Sequence, residues 1–354
     1  MHFTIVGAGA IGGTAGAYLA RAGHDVLFVD QDAAHVDAIA TRGLTIEGRE
    51  RFTVRAPAVT PQGLATTVGG RIPEVVLLAV KAMHTQAALA AVVPLLGRHY
   101  VASLQNGLNE HVIASMVGAP RTIGAFVNFG ADYLEPGRVM FGGTGALYLG
   151  ELDGRMTPRL RRLADIFRDA VLPTTTTTAN IWGYLWGKLG YGSMLFATAL
   201  VDESIADVLA HRPSRPALAN LAAEAVRVAQ AQDIRCEGFD GYEPERFAFK
   251  TPRDWTGIGA SLDRLVEFNR RSLKAKSGVW RDLAVRKRKT EVDQIVGAVV
   301  DTGTQHGVRV PLNQRLRVLI HELEEGRRRM SWDNLADLAA LNAREYPDDA
   351  VAGR

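Results

Sequence analysis

The segment that decides the fold of the first half spans residues 2–30 and reads HFTIVGAGAIGGTAGAYLARAGHDVLFVD. Its apolar start, residues 2–6, has the composition of a buried strand. A G-x-G-x-x-G fingerprint follows, made of Gly7, Ala8, Gly9, Ala10, Ile11 and Gly12. In such a unit the first glycine permits a tight turn, the second lets the backbone approach a pyrophosphate, and the third lets the helix pack closely on the strand. The segment therefore predicts a dinucleotide site.

The same segment ends in an acidic residue. Residues 11–22 form the predicted helix, whose N-terminus offers free N–H groups and positive dipole to phosphates. Residues 25–29 read as a second strand, and Asp30 follows at its carboxyl end. A carboxylate there accepts hydrogen bonds from ribose hydroxyls and repels a 2′-phosphate, so Asp30 favours NAD(H) over NADP(H). The alternative is a glycine-rich turn that opens an unrelated α/β protein.

Composition indicates an ordinary globular protein of two domains, since the chain has 354 residues, 47% of them hydrophobic and 22% charged. The single cysteine, Cys236, excludes an intrachain disulfide and favours a reducing compartment. With neither a signal peptide nor an apolar run of about 20 residues, the expected location is cytoplasmic and no membrane partner is expected. The basic run at 286–289 is interpreted as a solvated helix face, so no nucleic-acid partner is predicted.

The first half alternates strand and helix patterns, which predicts a doubly wound parallel sheet over residues 1–176. Lys81 follows an apolar strand at 75–80, and Asn106 follows another at 100–104. Ligands of such sheets bind outside the carboxyl ends of the strands, so both residues are expected to face the cofactor. Further strands are predicted over 122–128 and 139–149.

Beyond the threonine run at 174–178 the pattern becomes helical, which predicts an all-helical domain over 177–330 and a C-terminal tail over 331–354. The predicted helices span 181–200, 217–232, 280–306 and 312–325. Lys188 lies in an aromatic, apolar stretch, where desolvation would lower its pKa toward a value useful in proton transfer. A lysine whose ammonium reaches water is the alternative. Glu291 lies at the edge of an apolar helical stripe, where a solvated surface acid is the alternative.

Taken together, the motifs of the two halves resemble the ketopantoate reductase (2-dehydropantoate 2-reductase) family over residues 1 to about 326. The resemblance rests on five motifs in order: Gly7-x-Gly9-x-x-Gly12, Val80-Lys81-x-x-x-Thr85, Gln105-Asn106-Gly107, Trp186-x-Lys188-Leu189 and Thr290-Glu291-Val292-Asp293. It implies an α/β fold with an N-terminal Rossmann-like domain. An all-helical C-terminal domain resembling that of 6-phosphogluconate dehydrogenase would follow, with the active site in the cleft between them.

The resemblance also implies roles for single residues. Lys188 would be the general acid that protonates the carbonyl oxygen, and Glu291 would hold the lysine and the new hydroxyl. Asn106 would lie near the nicotinamide and the substrate, and Lys81 near the cofactor ribose and nicotinamide. Glu291 is also expected to contact the cofactor. Ser277 is the best match to a serine that binds the substrate carboxylate, although its spacing from Glu291 is longer than usual.

Three positions depart from the family pattern. Members that act on ketopantoate usually carry asparagines four and eight residues after the lysine, where this chain has Gly192 and Phe196. The loss of two amides removes polar contacts to a substrate hydroxyl, so the expected substrate is a 2-oxo acid with a larger or more apolar side chain. Asp30 is the third departure, because typical members prefer NADPH and lack an acid there.

The expected function is reduction of a small anionic 2-oxo acid to a 2-hydroxy acid, as in the D-mandelate dehydrogenase-like members of the family. Two alternatives stay open: a genuine 2-dehydropantoate 2-reductase of pantothenate biosynthesis, and a dinucleotide-binding sensor without turnover. The expected cofactor is NAD(H), with NADP(H) open by family. No residue spacing indicates a metal site, and a homodimer stays open.

Overall fold

The computed structural model describes residues 1–72, 74–143, 145–272 and 275–350. The chain divides into two compact units, Met1–Ile181 and Trp182–Arg354. The assignment of cofactor binding to residues 1–176 and of catalysis to residues 177–330 is a functional division and stays a prediction.

Within the described residues the first unit contains both strands and helices. Its strands are β1 (His2–Val6), β2 (Asp25–Val29), β3 (Leu44–Gly48), β4 (Phe52–Val54), β5 (Ala58–Val59), β6 (Val75–Leu78), β7 (Tyr100–Ser103), β8 (Thr122–Val127), β9 (Gly130–Glu135), β10 (Arg138–Gly143), β11 (Leu147–Glu151) and β12 (Thr175–Thr177). Its helices are α1 (Ala10–Arg21), α2 (Ala33–Arg42), α3 (Leu64–Thr67), α4 (Thr85–Val92), α5 (Asn109–Val117) and α6 (Pro158–Ala170).

The large sheet has the strand order of a doubly wound fold. Among the described strands, eight pair in the order β12-β11-β8-β7-β6-β1-β2-β5. The chain winds from β1 through β2 to β5 on one side, and from β6 through β7 to β8 on the other. β1 and β6 are therefore parallel neighbours at the point where the winding reverses, which is where ligands of such sheets bind. The predicted fold class is confirmed.

The sheet is buried on both faces, as its winding requires. In β6, Val75 and Leu77 belong to one apolar cluster, whereas Val76 and Leu78 belong to another. The first cluster includes side chains of α1 and α6, such as Leu19. The second includes side chains of α4 and α5. This two-sided burial explains why the strand reads as an uninterrupted apolar run.

The end of the sheet differs from the sequence prediction. The single strand predicted over 139–149 is wrong, because β10 pairs in a small second sheet, β4-β3-β10-β9, and β11 pairs antiparallel with β8 in the large one. Glycines explain the break: Gly143 has φ +153°, and a Cβ on Gly145 would lie 2.1 Å from the Asn128 carbonyl oxygen. Only glycines allow the chain to leave one sheet and enter the other here.

The regular secondary structure of the described residues in the second unit is helical, apart from one isolated bridge. Its helices are α7 (Ile181–Thr198), which begins at the last residue of the first unit, α8 (Ile205–Ala210), α9 (Arg215–Gln230), α10 (Pro244–Phe247), α11 (Trp255–Arg270), α12 (Gly278–Ala284), α13 (Val292–Gln305), α14 (Pro311–Glu324), α15 (Trp332–Glu345) and α16 (Pro347–Ala350). In the described part of the chain, no helix is long and apolar enough to cross a membrane.

One predicted helix of this unit is wrong in extent. Residues 280–306 form α12 and α13, because the chain between them turns at Lys287, whose φ is +49°. After residue 331 the chain continues as α15, whose Leu335 and Leu338 are buried. Glu224 of α9 is buried and accepts hydrogen bonds from the first amides of α14, Leu312 N (2.9 Å) and Asn313 N (2.9 Å).

Candidate functional site

In the first unit, four neighbouring strands bring the predicted cofactor residues to one edge of the sheet. β2, β1, β6 and β7 are adjacent and parallel. Asp30 follows β2, the glycine loop follows β1, Lys81 comes shortly after β6, and Asn106 comes shortly after β7. With strands about 4.8 Å apart, the row from β2 to β7 is about 14 Å wide. Residues separated by 76 positions in sequence therefore line one elongated edge.

The three fingerprint glycines have different surroundings. Gly7 has φ +95°, and a Cβ there would lie 2.6 Å from the Val80 backbone nitrogen. A Cβ on Gly12 would lie 2.0 Å from the Gly7 carbonyl oxygen. Gly9 is different, because a Cβ on it would meet no atom within 4 Å. The protein itself thus requires Gly7 and Gly12, whereas the space beside Gly9 is open to a ligand.

Asp30 is held in place by backbone amides. Its Oδ2 accepts a hydrogen bond from Ala8 N (2.8 Å), and its Oδ1 accepts one from Asp32 N (3.0 Å). Each carboxylate oxygen can accept a second hydrogen bond. Asp30 therefore orients the glycine loop and still has acceptor capacity for another donor.

His35 is a site residue that sequence reasoning missed. Its ring is buried, Gly137 N donates to Nδ1 (2.9 Å), and Nε2 therefore carries the proton that is donated to the Ala8 carbonyl oxygen (2.9 Å). Both polar groups of the Ala8 peptide backbone are thus held, the N–H by Asp30 and the carbonyl by His35. No local sequence pattern connects Ala8 or Gly137 to a histidine of α2.

A second buried network lies behind Lys81 and Asn106. Gln105 Nε2 donates to the Val80 carbonyl oxygen (2.9 Å) and to Thr85 Oγ1 (2.8 Å). The single Thr85 hydroxyl proton has two acceptors within reach, the Ala82 carbonyl oxygen (2.8 Å) and Asn109 Oδ1 (3.0 Å), and the Asn109 amide nitrogen donates to the Asn106 carbonyl oxygen (2.5 Å). These three side chains are at most 5% exposed. Because they bind the backbone next to Lys81 and at Asn106, they fix both loops relative to each other.

In the second unit, α7 carries Lys188 on a partly exposed face. Glycines on the same helix allow a loop to pack against it. A Cβ on Gly187 would lie 2.5 Å from the Glu237 carbonyl oxygen, and one on Gly190 would lie 2.8 Å from the Tyr242 hydroxyl. Glycine in a helix costs about 1 kcal/mol relative to alanine, so this close packing is what the small residues of the motif provide.

Glu291 is the N-cap residue of α13, and its side chain does not cap that helix. The preceding Thr290 is 4% exposed and donates to Glu324 Oε1 through both its N–H (2.7 Å) and its hydroxyl (2.6 Å). The other Glu324 oxygen contacts His321 Nδ1 (3.0 Å). The end of α14 therefore fixes the backbone that presents Glu291.

Asp293 makes a second set of contacts between α13 and α14. Its Oδ1 accepts from Arg317 Nε (2.7 Å) and lies 3.1 Å from His321 Nε2. Burial alone would raise the pKa of Asp293, but the hydrogen bonds from Arg317 and His321 bring the pKa below its usual value. Asp293 is therefore an ionised structural residue that ties α13 to α14.

The two helices that carry Lys188 and Glu291 touch at Gly192 and Ile295. A Cβ on Gly192 would lie 2.9 Å from Ile295 Cγ2, so the isoleucine fills the space beside the glycine. Gly192 lies four residues after Lys188, and Ile295 lies four residues after Glu291. Each predicted catalytic residue is therefore one helical turn, about 6 Å, from this contact.

The other two residues predicted to contact the substrate, Phe196 and Ser277, are buried. Phe196 is 2% exposed, so its ring is enclosed in protein. Ser277 is 6% exposed and is the N-cap residue of α12, where its Oγ accepts from Trp280 N (3.1 Å). Their roles toward a substrate stay predictions.

Comparison with known proteins identifies the family to which the chain belongs. Residues 3–154 match the family described as ketopantoate reductase PanE/ApbA, and residues 180–324 match the family described as its C-terminal domain. A 2-dehydropantoate 2-reductase of Pyrococcus abyssi is 30% identical over 322 residues, which are 90% of this chain and 97% of that protein. A 2-dehydropantoate 2-reductase of Streptococcus pyogenes is 26% identical over 323 residues, which are 90% and 97% of the two chains.

Solved structures give the same result. A PanE/ApbA family ketopantoate reductase from Ralstonia eutropha JMP134 has a TM-score of 0.75 and 26% identity, covering 92% of this chain and 99% of that one. D-mandelate dehydrogenase in complex with NADH and anilino(oxo)acetate has a TM-score of 0.79 over 92% and 99% of the chains, and at 23% identity this likeness shows the fold alone. The resemblance found in the motifs is confirmed, and the chain belongs to the ketopantoate reductase family.

Proposed function

We propose that this protein is a reductase of 2-oxo acids that uses a nicotinamide dinucleotide. The observation that carries the proposal is the contact between Gly192 and Ile295, because Lys188 and Glu291 each lie one turn from it on partly exposed surface. Membership of the ketopantoate reductase family supplies the reaction class, since the relatives are named 2-dehydropantoate 2-reductases.

The first unit has the features that a dinucleotide needs. The open space at Gly9 accepts a pyrophosphate, and the first turn of α1 has neither an acidic residue nor a side-chain cap to compete with it. Lys81 and Asn106, farther along the same edge, are the groups for the nicotinamide end. When bound, the dinucleotide supplies the hydride that adds to the keto carbon of the substrate.

Asp30 supports a preference for NADH. Its position after β2 is that of the ribose-binding acid, and its carboxylate would repel a 2′-phosphate. Measurement of Kd for NADH and NADPH tests this proposal. Asp30→Asn keeps one acceptor oxygen and removes the charge. We expect it to bring the Kd for NADPH closer to the Kd for NADH. A parent that binds NADPH more tightly would overturn the preference.

The second unit supplies the acid chemistry in this proposal. The Lys188 ammonium donates its Nζ proton to the substrate carbonyl oxygen and stabilises the negative charge that grows there. Glu291 lies at the start of α13, so its carboxylate is carried at the N-terminal end of that helix. That carboxylate accepts hydrogen bonds from the ammonium and from the new hydroxyl. Ser277 stays a candidate for the substrate carboxylate.

The test is turnover across a panel of 2-oxo acids with both cofactors, in the parent and in Lys188→Ala. The variant is expected to lose about 10²-fold or more in kcat, the usual contribution of a general acid, while its Kd for NADH stays near the parent value. Lys250→Ala, at an exposed lysine of the same unit, is the matched control.

Three outcomes would redirect the assignment. Equal activity of Lys188→Ala and the parent would remove Lys188 from its role. Binding of NADH without turnover of any 2-oxo acid would favour a dinucleotide sensor. A parent for which ketopantoate is much the best substrate, with strong NADPH preference, would favour an ordinary 2-dehydropantoate 2-reductase.

A further inference from the structure

Ile295 occupies a position that no sequence motif indicated. It lies on α13 in the same register as Glu291, four residues earlier, and Ala298, three residues later, and all three are partly exposed. On α7 the residues in register with Lys188 are Gly192 and Leu195, which are also partly exposed. Ile295, Ala298, Gly192 and Leu195 are therefore the apolar part of these two faces, while Gln294, one position before Ile295, adds a partly exposed amide on α13.

The contact itself explains why this surface is apolar. Because a Cβ on Gly192 would come within 2.9 Å of Ile295 Cγ2, the glycine can accept a side chain only if the isoleucine shifts. The Ile295 side chain thus takes the place of any group on α7 at this position, and the rest of its surface remains partly exposed.

The charged neighbour of Ile295 on α13, Asp293, is engaged by another helix. Asp293 binds Arg317 and contacts His321, so its carboxylate is directed to α14. A substrate side chain beside Ile295 would meet aliphatic carbon one turn from Glu291. A hydroxyl or charge on that side chain would lose water without gaining a partner from this residue, which disfavours it.

We propose that Ile295 is a specificity-determining residue that selects 2-oxo acids with an apolar side chain. This inference rests on the proposed function and deepens it by naming the substrate class. It also refines the expectation drawn from Gly192: the glycine does not enlarge the site at this point, because Ile295 fills the space beside it.

The experiment compares kcat/KM for 4-methyl-2-oxopentanoate and for pyruvate in the parent and in Ile295→Ala. The selectivity ratio is the kcat/KM for 4-methyl-2-oxopentanoate divided by that for pyruvate. One methylene in a hydrophobic pocket changes discrimination by about 10–200-fold, so the kcat/KM of the variant for the larger substrate should fall by about tenfold or more. Its kcat/KM for pyruvate should stay within about twofold of the parent, since pyruvate lacks the carbons that reach Ile295. Ile295→Val, which should fold if the alanine variant does not, is expected to move the ratio in the same direction.

A binding measurement separates this inference from the proposed function. With NADH saturating, calorimetry gives Kd for oxamate and for N-isobutyl oxamate, unreactive analogues of a small and of a branched 2-oxo acid. Ile295→Ala should weaken the branched analogue selectively. If the parent turned over no 2-oxo acid, the proposed function would fail, and these dissociation constants would still decide the role of Ile295.

Two further variants identify a merely structural role. Val296→Ala, at a fully buried neighbour on α13, should lower the melting temperature without changing the selectivity ratio. Gly192→Ala should displace Ile295 and lower the ratio, with little additional loss in the Gly192→Ala/Ile295→Ala double variant, since residues in contact are non-additive. Equal losses for both substrates in Ile295→Ala, or an unchanged ratio, would overturn the proposal.

Discussion

Replacement of Gly9 by alanine separates the demands of the fold from those of the ligand. The added Cβ would meet no protein atom within 4 Å, and Gly9 has φ −68°, which alanine readily adopts. Stability should therefore fall by no more than about 1 kcal/mol, the cost of alanine in place of glycine at the N-cap position of α1. The same methyl group would occupy the space in which a pyrophosphate approaches the loop.

The effect on binding follows from the contacts that would be displaced. A hydrogen bond to a charged group contributes about 1.5–3 kcal/mol. Loss of one phosphate contact at the start of α1 would therefore raise the Kd for NADH by about 10–150-fold, since each 1.4 kcal/mol corresponds to about tenfold. Fluorescence titration with NADH gives the Kd, and thermal unfolding of the apo protein gives the stability.

Two other glycines serve as controls. Gly259→Ala in α11 also places a Cβ in open space, so it should leave the Kd for NADH near the parent value and raise the stability by up to about 1 kcal/mol, since alanine is favoured over glycine inside a helix. Gly12→Ala should destabilise the protein severely, because its Cβ would come within 2.0 Å of the Gly7 carbonyl oxygen. The reasoning is refuted if Gly9→Ala binds NADH as tightly as the parent. It is also refuted if Gly9→Ala unfolds as Gly12→Ala does.

Three further predictions concern the supporting residues. His35→Leu leaves the buried Ala8 carbonyl and Gly137 N–H unpaired, which costs about 1–3 kcal/mol each. Urea unfolding should show a lower free energy of unfolding, and titration with NADH should show a raised Kd. An unchanged Kd would mean that His35 does not position the glycine loop. Thr85→Val removes the hydroxyl that accepts from Gln105, so kcat should fall and KM should rise in steady-state assays. Parental values of both would contradict a role of Thr85 in fixing the two loops. Because hydrogen bonds depress the pKa of Asp293, its contribution is present above its unfolded pKa of about 3.9 and disappears as pH falls through the folded value. Asp293→Asn should therefore be less stable than the parent at pH 7 by less than about 1 kcal/mol, as its carboxylate is 42% exposed. Urea titrations at pH 7 and pH 3 should show the difference become smaller in acid, and a difference that is unchanged would contradict an ionic origin.

Much of the first unit was predictable because its signals are local. Strand β1, the glycine fingerprint, helix α1 and strand β2 follow one another within 30 residues, and each glycine acts through backbone geometry that is specific to its position. The strand-end positions of Lys81 and Asn106 were also predictable, since an apolar run and the polar residue after it are read from adjacent letters.

Predictions went wrong where distant contacts override a local pattern. Residues 139–149 alternate like one strand, but close approach of Gly145 to Asn128 divides them between two sheets. Residues 280–306 have the pattern of one helix, but the bonds of Thr290 to Glu324 and the turn at Lys287 divide them into two.

The sequence by itself therefore determined the family and the strand and helix framework of the first unit, and it proposed the candidate residues, because short motifs encode turns, helix starts and strand ends. Only the tertiary structure decided what surrounds those residues. It joined His35 to Ala8 and Gly137, linked Thr85, Gln105 and Asn109 behind the two loops, and brought Ile295 against Gly192. These contacts connect residues 20 to 103 positions apart. They arise from how strands and helices pack, which spacing along the chain does not record.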